Sequence, residues 1–503
     1  MIIYPDFPTS SIINQEYSDP AGPLHLCSYL SSKGIKCLFF NCVTNKEWKT
    51  YLRENLQNIG LVGISAMTDQ LPSALEICKF IKDYRKDIPI VIGQIHAMLF
   101  PEKSVESNLI DYAVFGQRAE VPLEKLINFV FYKKGELKQI PNLIYKSKDG
   151  KIFKSKAKEI PFDFEKMPLI DYSFLGEKIF QNLKKYPVGM LTSRGCPYQC
   201  SFCINSVVPE SRKWQAWSAE RTIKEIKKLT KKGVKEIIFW DDCFFTKKAR
   251  VVRIIELMEK EKINISWFAN LRADHISENY IDQKFLQRLE KNGLTWISIG
   301  AESGSRRMLN LMNKQITVEQ LIESARIIGK TKIIPNFSFM IGLPEEKKED
   351  IEKTLILMKK MKEICPQAKF AGPQLYRPYP GSKFYQLCLK SGWNPPQTLE
   401  EWGEKIKKET MESDPFNLPW IEDKNFTRTA WFYSIFLIFP LNGLVKYFLN
   451  YCRDNKKNAL FKAIGIIGVF LISSLGRMRM KFNFHEWQYE IKLLKKYRSA
   501  LSA

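Results

Sequence analysis

Short apolar runs alternate with segments of helical periodicity along most of this chain, and no other feature limits its fold as tightly. Residues 35–40 read as a strand, as do 59–65 (IGLVGIS), 88–93 (IPIVIG) and 109–116 (LIDYAVFG). Between and after them, residues 71–84 and 121–132 carry apolar side chains at helical spacing. Strands separated by helices cannot form hairpins, so they pair in parallel through crossovers. The expectation is a doubly wound, Rossmann-like sheet over roughly the first 130 residues, with Gly63, Gly93 and Gly116 within or at the ends of strands, where such sheets place ligand loops.

Residues 136–185 break the alternation. They are charged and proline-punctuated, and read as a small hairpin plus a connector. From residue 187 the βα pattern resumes, with strands expected at 188–192, 236–240, 265–269, 296–300, 334–341 and 370–376. Helices fall between them, at 219–231, 249–261, 282–291 and 348–365. Six βα units in roughly 200 residues suit a parallel (β/α)6 partial barrel, whose chemistry sits at the C-terminal strand ends. The whole is of α/β class, divided into a Rossmann-like domain (1–135), a connector (136–185), a barrel (186–400) and a mostly helical, basic region (401–503).

In that last region the uncharged runs 430–445 and 463–476 are 16 and 14 residues long. Both fall short of the ~18 that mark a spanning helix. Residues 446–503 hold twelve Lys and Arg against three Asp and Glu, so apolar runs in basic surroundings suggest peripheral contact with an anionic membrane through 430–476. A helical subdomain packed on the barrel is the plainer alternative. The net charge of +24 favours polyanions without choosing among them. Eleven cysteines in 503 residues are no disulfide scaffold, and the N-terminus MIIYPDFPTS lacks the pattern of a secretory signal. The expected location is the cytoplasm, free or at the inner face of the membrane, where cysteines serve metals, catalysis or the core.

The sharpest local signal is Cys196-Pro-Tyr-Gln-Cys200-Ser-Phe-Cys203, directly after an expected strand. Three thiolates on one loop hold three irons of a 4Fe–4S cluster and leave the fourth open for substrate or cofactor. Zinc is the rival, but it favours paired C-x2-C units or nearby histidines. The closest later candidates are Cys243, forty residues on, and His275. Cys243 reads better as core, and Cys27, Cys37, Cys42 and Cys78 as small buried hydrophobes.

The segment LTSRGCPYQCSFC (191–203) resembles the signature of radical S-adenosylmethionine (SAM) enzymes, with the aromatic Phe202 before the last cysteine. Further segments resemble that family in order: FWDDCFF (239–245), ANLRAD (269–274), IGAESGS (299–305), MIGLPEE (340–346) and YRPYPGSKFYQ (376–386). The resemblance implies that SAM chelates the open iron and is cleaved reductively, giving a 5′-deoxyadenosyl radical or a related methyl transfer. It further implies that Asp241 or Asp242 receives the SAM ammonium, Arg272 its carboxylate, and Glu302 and Ser303 the ribose hydroxyls.

The first domain is similar to cobalamin-binding domains fused to such barrels, in the segments 18–42, 62–82, 88–104 and 111–126. That resemblance assigns Ser65, Gly93, His96, Gly116 and Glu120 to cobalamin. The family's Gly-Gly-x-His turn is Gly93-Gln94-Ile95-His96 here, and its Gly-Glu-Gly-Glu turn is Gly116-Gln117-Arg118-Ala119-Glu120. There is no Asp-x-His-x-x-Gly motif, so no histidine is expected beneath cobalt. The implied activity is a radical SAM iron–sulfur enzyme with cobalamin, transferring a methyl group to an unactivated carbon of a small or lipid-like substrate. Flavodoxin or ferredoxin would supply electrons. The alternative is cyclisation, oxidation or coupling without methyl transfer, the first domain acting only in docking. A nucleic-acid partner is not expected. The tRNA methylthiotransferases use three spaced N-terminal cysteines, whereas here Cys42 and Cys78 find no third near Tyr112 and Ala113.

Overall fold

The computed structural model describes residues 1–7, 17–147, 149–158, 163–411, 415–438, 441–454, 457 and 459–490. Its first sheet has seven strands: β1 (Ile2–Tyr4), β2 (Phe39–Asn41), β3 (Val62–Ser65), β4 (Ile90–Gly93), β5 (Tyr112–Val114), β6 (Leu143–Lys146) and β7 (Ile152–Lys154). They lie in the order β2-β1-β3-β4-β5-β6-β7. The first five pair in parallel, β6 adds antiparallel to β5 and β7 antiparallel to β6, so the expected hairpin extends this sheet past residue 135. The order reverses direction at β1, which has β2 on one side and β3 on the other. Open α/β sheets bind ligands beyond the C-terminal strand ends at such a reversal.

Two elements depart from the sequence reading. Strand β1 is not among the expected strands, since Pro5 and Pro8 punctuate its three apolar residues. Only Phe39–Asn41 of the region around 35–40 is strand. The preceding residues close helix α1 (Ala21–Ser32) instead: Gly34 takes φ +75° and the Ile35 N–H donates to the Leu30 carbonyl. By contrast, the expected helix 71–84 forms as α2 (Leu71–Tyr84), and α3 (Glu120–Tyr132) follows β5.

The second sheet contains β8 (Val188–Met190), β11 (Glu236–Phe239), β12 (Ser266–Leu271), β13 (Leu294–Glu302), β14 (Ile334–Ile341) and β15 (Lys369–Leu375); β9 (Ser193–Arg194) and β10 (Gln215–Ala216) form a small antiparallel pair beside it. Its order is β15-β14-β13-β12-β11-β8, all parallel and open between β15 and β8, which is the expected partial barrel. Period-2 burial sets its two faces. On β14, Pro335, Phe337, Phe339 and Ile341 are buried, while Asn336, Ser338 and Met340 alternate with them half-buried. Helices α4 (Ala219–Lys231), α5 (Lys248–Lys260), α6 (Gln283–Lys291), α7 (Val318–Ile328) and α8 (Lys348–Ile364) cover the outside. Side chains stop their first turns from fraying: the Ser218 hydroxyl accepts from Arg221 N–H, Asp282 accepts from Phe285 N–H, and Thr317 with Gln320 makes a capping box. Each buried Ile, Leu or Phe of these layers contributes ~1.5–3 kcal/mol relative to exposure.

Past the barrel, α9 (Leu399–Met411) packs on α2, and three helices follow: α10 (Lys424–Ile438), α11 (Leu441–Asp454) and α12 (Ala459–Lys481). The uncharged run 430–445 is divided between α10 and α11, and Pro440 within it lies outside the described residues. α10 packs against α8 and β15 and is largely covered. The second run is embedded in a helix of 23 residues, longer than the run itself, so 462–481 is by length and composition able to cross a membrane. Its exposed side carries Ile464, Ile467, Phe470 and Leu471, while Ser473, Gly476 and Arg479 face the protein.

Candidate functional site

The cysteine loop begins where β8 leads into β9. Gly195 takes φ +85°, and a Cβ there would lie 2.7 Å from the Ser211 carbonyl oxygen, so the tight entry requires glycine. The loop is then tied on several sides. Cys196 N–H donates to the Ser211 carbonyl at 2.7 Å, Ser201 N–H to Met312 O at 2.7 Å, and the Asn313 amide to Gln199 O at 2.8 Å. Cys200 is buried and Cys196 and Cys203 are half-buried. Burial raises the Cys196 thiol and pushes Cys203 up to about 12. Among the described residues no three His, Cys, Asp or Glu side chains converge on one ion. A cubane takes each thiolate at a different iron and needs no such convergence.

Adjacent carboxylates at the end of β11 do different work. Asp241 is fully buried and accepts from Thr192 N–H at 2.7 Å, Thr192 Oγ1 at 2.7 Å and Ser193 Oγ at 2.5 Å. Thr192 Oγ1 in turn accepts from Arg250 at 2.7 Å. Asp241 therefore locks β11 to the strand leading into the cysteine loop, and its oxygens are already engaged. Asp242 accepts from Gly195 N–H at 3.2 Å, bonds the Asn205 side chain and lines a cavity. Burial raises the pKa of both.

Around Cys200 the structure gathers Phe202, Arg272, Glu302 and Lys314. The Arg272 guanidinium is paired with Asp274 through Nε at 3.0 Å and Nη2 at 3.2 Å, donates to Lys314 O at 2.8 Å, and comes within 4.0 Å of Cys200 Sγ. It also stacks over Tyr198 at 3.7 Å. Arg272 is thus already bound to Asp274 and leans on a cluster thiol, a different setting from the carboxylate clamp the resemblance implies. Glu302, at φ +65°, pairs with the buried Lys314 at 2.8 Å. Ser303 is buried beside Thr354 Oγ1 at 3.2 Å and accepts from Ser305 N–H, so its hydroxyl is engaged away from Cys200. Tyr198, whose Oη lies 2.6 Å from His275 Nε2, and Lys314 also belong to this shell, and the sequence reading gave Lys314 no role. A lysine among 78 basic residues gives no signal before its partner is known.

A cavity of ≈300 Å³ lies between the two sheets. Ile2, Ser65, Gly93, Gln94, Gly116 and Glu120 reach it from the first, and Leu191, Arg194, Asn205, Trp240 and Asp242 from the barrel. His96 is not there. It is fully buried between Phe100 and Trp402, bonded through Nδ1 to Thr68 Oγ1 at 3.2 Å, and burial pushes it down to about 3. The altered second turn has a visible use. Gln117 donates to Asn205 at 3.2 Å, Arg118 to Gln215 at 2.8 Å, and Glu120 pairs with Arg194 at 2.7 Å, so this turn clamps one sheet to the other.

Three thiols on a fixed loop with a guanidinium beside one of them suit an anionic iron–sulfur cluster. The cavity at the strand reversal, walled by backbone at Gly93 and Gly116, suits a large flat ligand. At the SAM positions the polar groups are present, but Asp241 and Ser303 are committed to the fold.

Two family models match the chain. Residues 190–358 match the radical SAM superfamily and residues 17–126 match the B12 binding domain. An uncharacterized methyltransferase of Pyrococcus horikoshii is 30% identical over 349 residues, 68% of this chain and 73% of that one. The anaerobic magnesium-protoporphyrin IX monomethyl ester cyclase of Rubrivivax gelatinosus is 24% identical over 473 residues, 91% and 80% of the two chains. Among solved structures, the radical SAM methyltransferase TsrM from Kitasatospora setae, with cobalamin and a [4Fe-4S] cluster, aligns with TM-score 0.68 at 15% identity over 95% and 98% of the chains, a likeness of fold. The chain is therefore an enzyme of the radical SAM superfamily, in the group that joins a B12-binding domain to the barrel and uses a 4Fe–4S cluster, SAM and cobalamin.

Proposed function

We propose that this enzyme transfers a methyl group to an unactivated carbon. The cavity that opens to both sheets carries this reading, because Ser65, Gly93 and Gly116 face Asp242 and Arg194 across it. When bound, the cluster supplies the electron for reductive SAM cleavage and cobalamin supplies a methyl carrier. The chain's own part is placement. Cys196, Cys200 and Cys203 would hold the cluster, with Arg272 beside Cys200 offsetting negative charge. Asp242 would hold the SAM ammonium, being the carboxylate of its pair that reaches the cavity, with Phe202, Arg272 and Glu302 at the cluster side. Ser65, Gly93, Gly116 and Glu120 would border cobalamin, and the Glu120–Arg194 pair keeps the two halves in register. The test is anaerobic assay of the reconstituted enzyme with SAM, reductant and a substrate library. Methyl transfer predicts both S-adenosylhomocysteine and 5′-deoxyadenosine. 5′-Deoxyadenosine alone would move the reading to cyclisation or oxidation, which the cyclase relative favours.

The substrate we favour is lipid-like, met at an anionic membrane surface. Ile464, Ile467, Leu471, Met478 and Phe482 recur at steps of three, four and seven residues and are 50–67% exposed. Arg477 and Lys481 stand beside them, and Trp487 and Tyr489 are exposed in the following turn. Such a stripe lies in a headgroup layer while its other face stays packed. Sedimentation with anionic vesicles checks it; no binding of the full chain would remove the support for a lipid substrate. The electron donor would be an acidic flavodoxin or ferredoxin, complementary to the +24 charge.

A further inference from the structure

One residue at the cavity is held in a conformation that its side chain disfavours. Gln94, directly after β4, has φ +77° and ψ −165°, a region of backbone space that is essentially reserved for glycine. A side chain there crowds its own backbone, and a glycine would adopt the same turn without strain. The neighbouring sequence offers the ordinary solution one residue earlier: Gly93 occupies the strand end, and a Cβ on it would meet only Val114 O, at 3.9 Å. The glutamine thus stands where glycine fits best, while a glycine stands where a side chain would fit.

Within the fold the glutamine side chain makes one hydrogen bond to set against that strain. Its Oε1 accepts from the adjacent Ile95 N–H at 3.2 Å, capping a five-residue helix, and its amide nitrogen has no hydrogen bond among the described residues. Its side chain is half-buried and lines the cavity together with Ser65, Gly93 and Gly116. A strained residue whose one hydrogen bond within the fold goes to its own neighbour, and which borders a ligand cavity, points to a functional constraint.

We propose that Gln94 is a ligand-contacting, specificity-determining residue of the corrinoid site, donating its free amide N–H to an acceptor on the ligand's amide-bearing rim. This rests on the assignment of the cavity to cobalamin. The side chain is kept for binding at the cost of backbone strain, so replacement by glycine should relieve the strain and weaken ligand binding together.

The experiment compares wild type, Gln94→Gly and Gln94→Ala as full chains with reconstituted cluster, titrated with hydroxocobalamin by absorbance. Thermal unfolding is measured without corrinoid. Q94G should melt about 3–6 °C higher and bind hydroxocobalamin at least fivefold more weakly. Q94A keeps the strain and lacks the amide, so it should bind as weakly as Q94G and melt no higher than wild type. Equal or tighter binding by Q94G overturns the proposal, and so does a Q94G melting temperature at or below wild type. Failure of wild type itself to bind hydroxocobalamin overturns the cobalamin assignment and Gln94's role with it; equal affinities across the three overturn Gln94's role alone.

Discussion

Replacing Asp241 by alanine should destabilise the barrel around the cysteine loop, because its carboxylate is engaged within the fold. The carboxylate accepts three hydrogen bonds within 2.5–2.7 Å, from Thr192 N–H, Thr192 Oγ1 and Ser193 Oγ. Bonds to a charged group contribute about 1.5 kcal/mol or more each, giving roughly 4–5 kcal/mol gross. Part is offset, because burial raises this carboxyl's pKa and its removal relieves that desolvation cost. The two hydroxyls can also turn elsewhere, whereas the Thr192 N–H cannot. The net loss should be about 3 kcal/mol, or about 6–12 °C in the barrel's thermal transition. Asp242→Asn, whose site keeps an oxygen for the Gly195 N–H, should cost less than about 1 kcal/mol. The assay is thermal unfolding followed by near-ultraviolet circular dichroism in the absence of cofactors. A D241A protein as stable as wild type, or a D242N protein that falls further than D241A, would refute the division of labour between the two carboxylates.

Two more predictions address burial and the cavity. Glu225 is buried with neither carboxylate oxygen hydrogen-bonded among the described residues, and burial raises it to about 7 from 4.5. A raised folded-state pKa gives stability that is full below about 4.5 and lost as pH rises through about 7, worth up to about 3 kcal/mol. Glu225→Gln should therefore be more stable than wild type at pH 8 but not at pH 4.5, as read from urea midpoints at both; a pH-independent difference would contradict this. Gly93→Leu should leave the melting temperature within a few degrees but abolish hydroxocobalamin binding, because the space beyond its Cα is the cavity; unimpaired binding would place the corrinoid elsewhere.

Much of the architecture was legible because period-2 and period-3.6 patterns report burial directly. The strands 334–341 and helices 71–84 and 219–231 were read at their observed bounds. Strand β1 was not, because three residues carry too little periodicity to outweigh two nearby prolines. The region 35–40 was over-read because capping of α1 depends on Gly34's left-handed turn, not on apolarity. At the site, the three cysteines announce themselves by spacing. Which of Asp241 and Asp242 reaches the cavity does not, since adjacent strand-end residues point to opposite faces and only the tertiary partners, Thr192 and Ser193 against Gly195 and Asn205, tell them apart. His96 matched a motif, yet its ring lies among Phe100 and Trp402, and Lys314 became visible only through Glu302.

The central claim is that one chain binds a reducible cluster through the cysteine loop of its barrel and a corrinoid at the cavity between its two sheets. Anaerobic reconstitution with iron, sulfide and hydroxocobalamin, followed by metal, sulfide and corrinoid quantification, tests it in wild type and in the Cys196→Ala/Cys200→Ala/Cys203→Ala variant. The account predicts a 4Fe–4S cluster with stoichiometric cobalamin in wild type and SAM cleavage on reduction. In the variant it predicts cobalamin retained with neither cluster nor cleavage. SAM cleavage surviving in the triple variant, or wild type that takes up a cluster but no corrinoid, would contradict it.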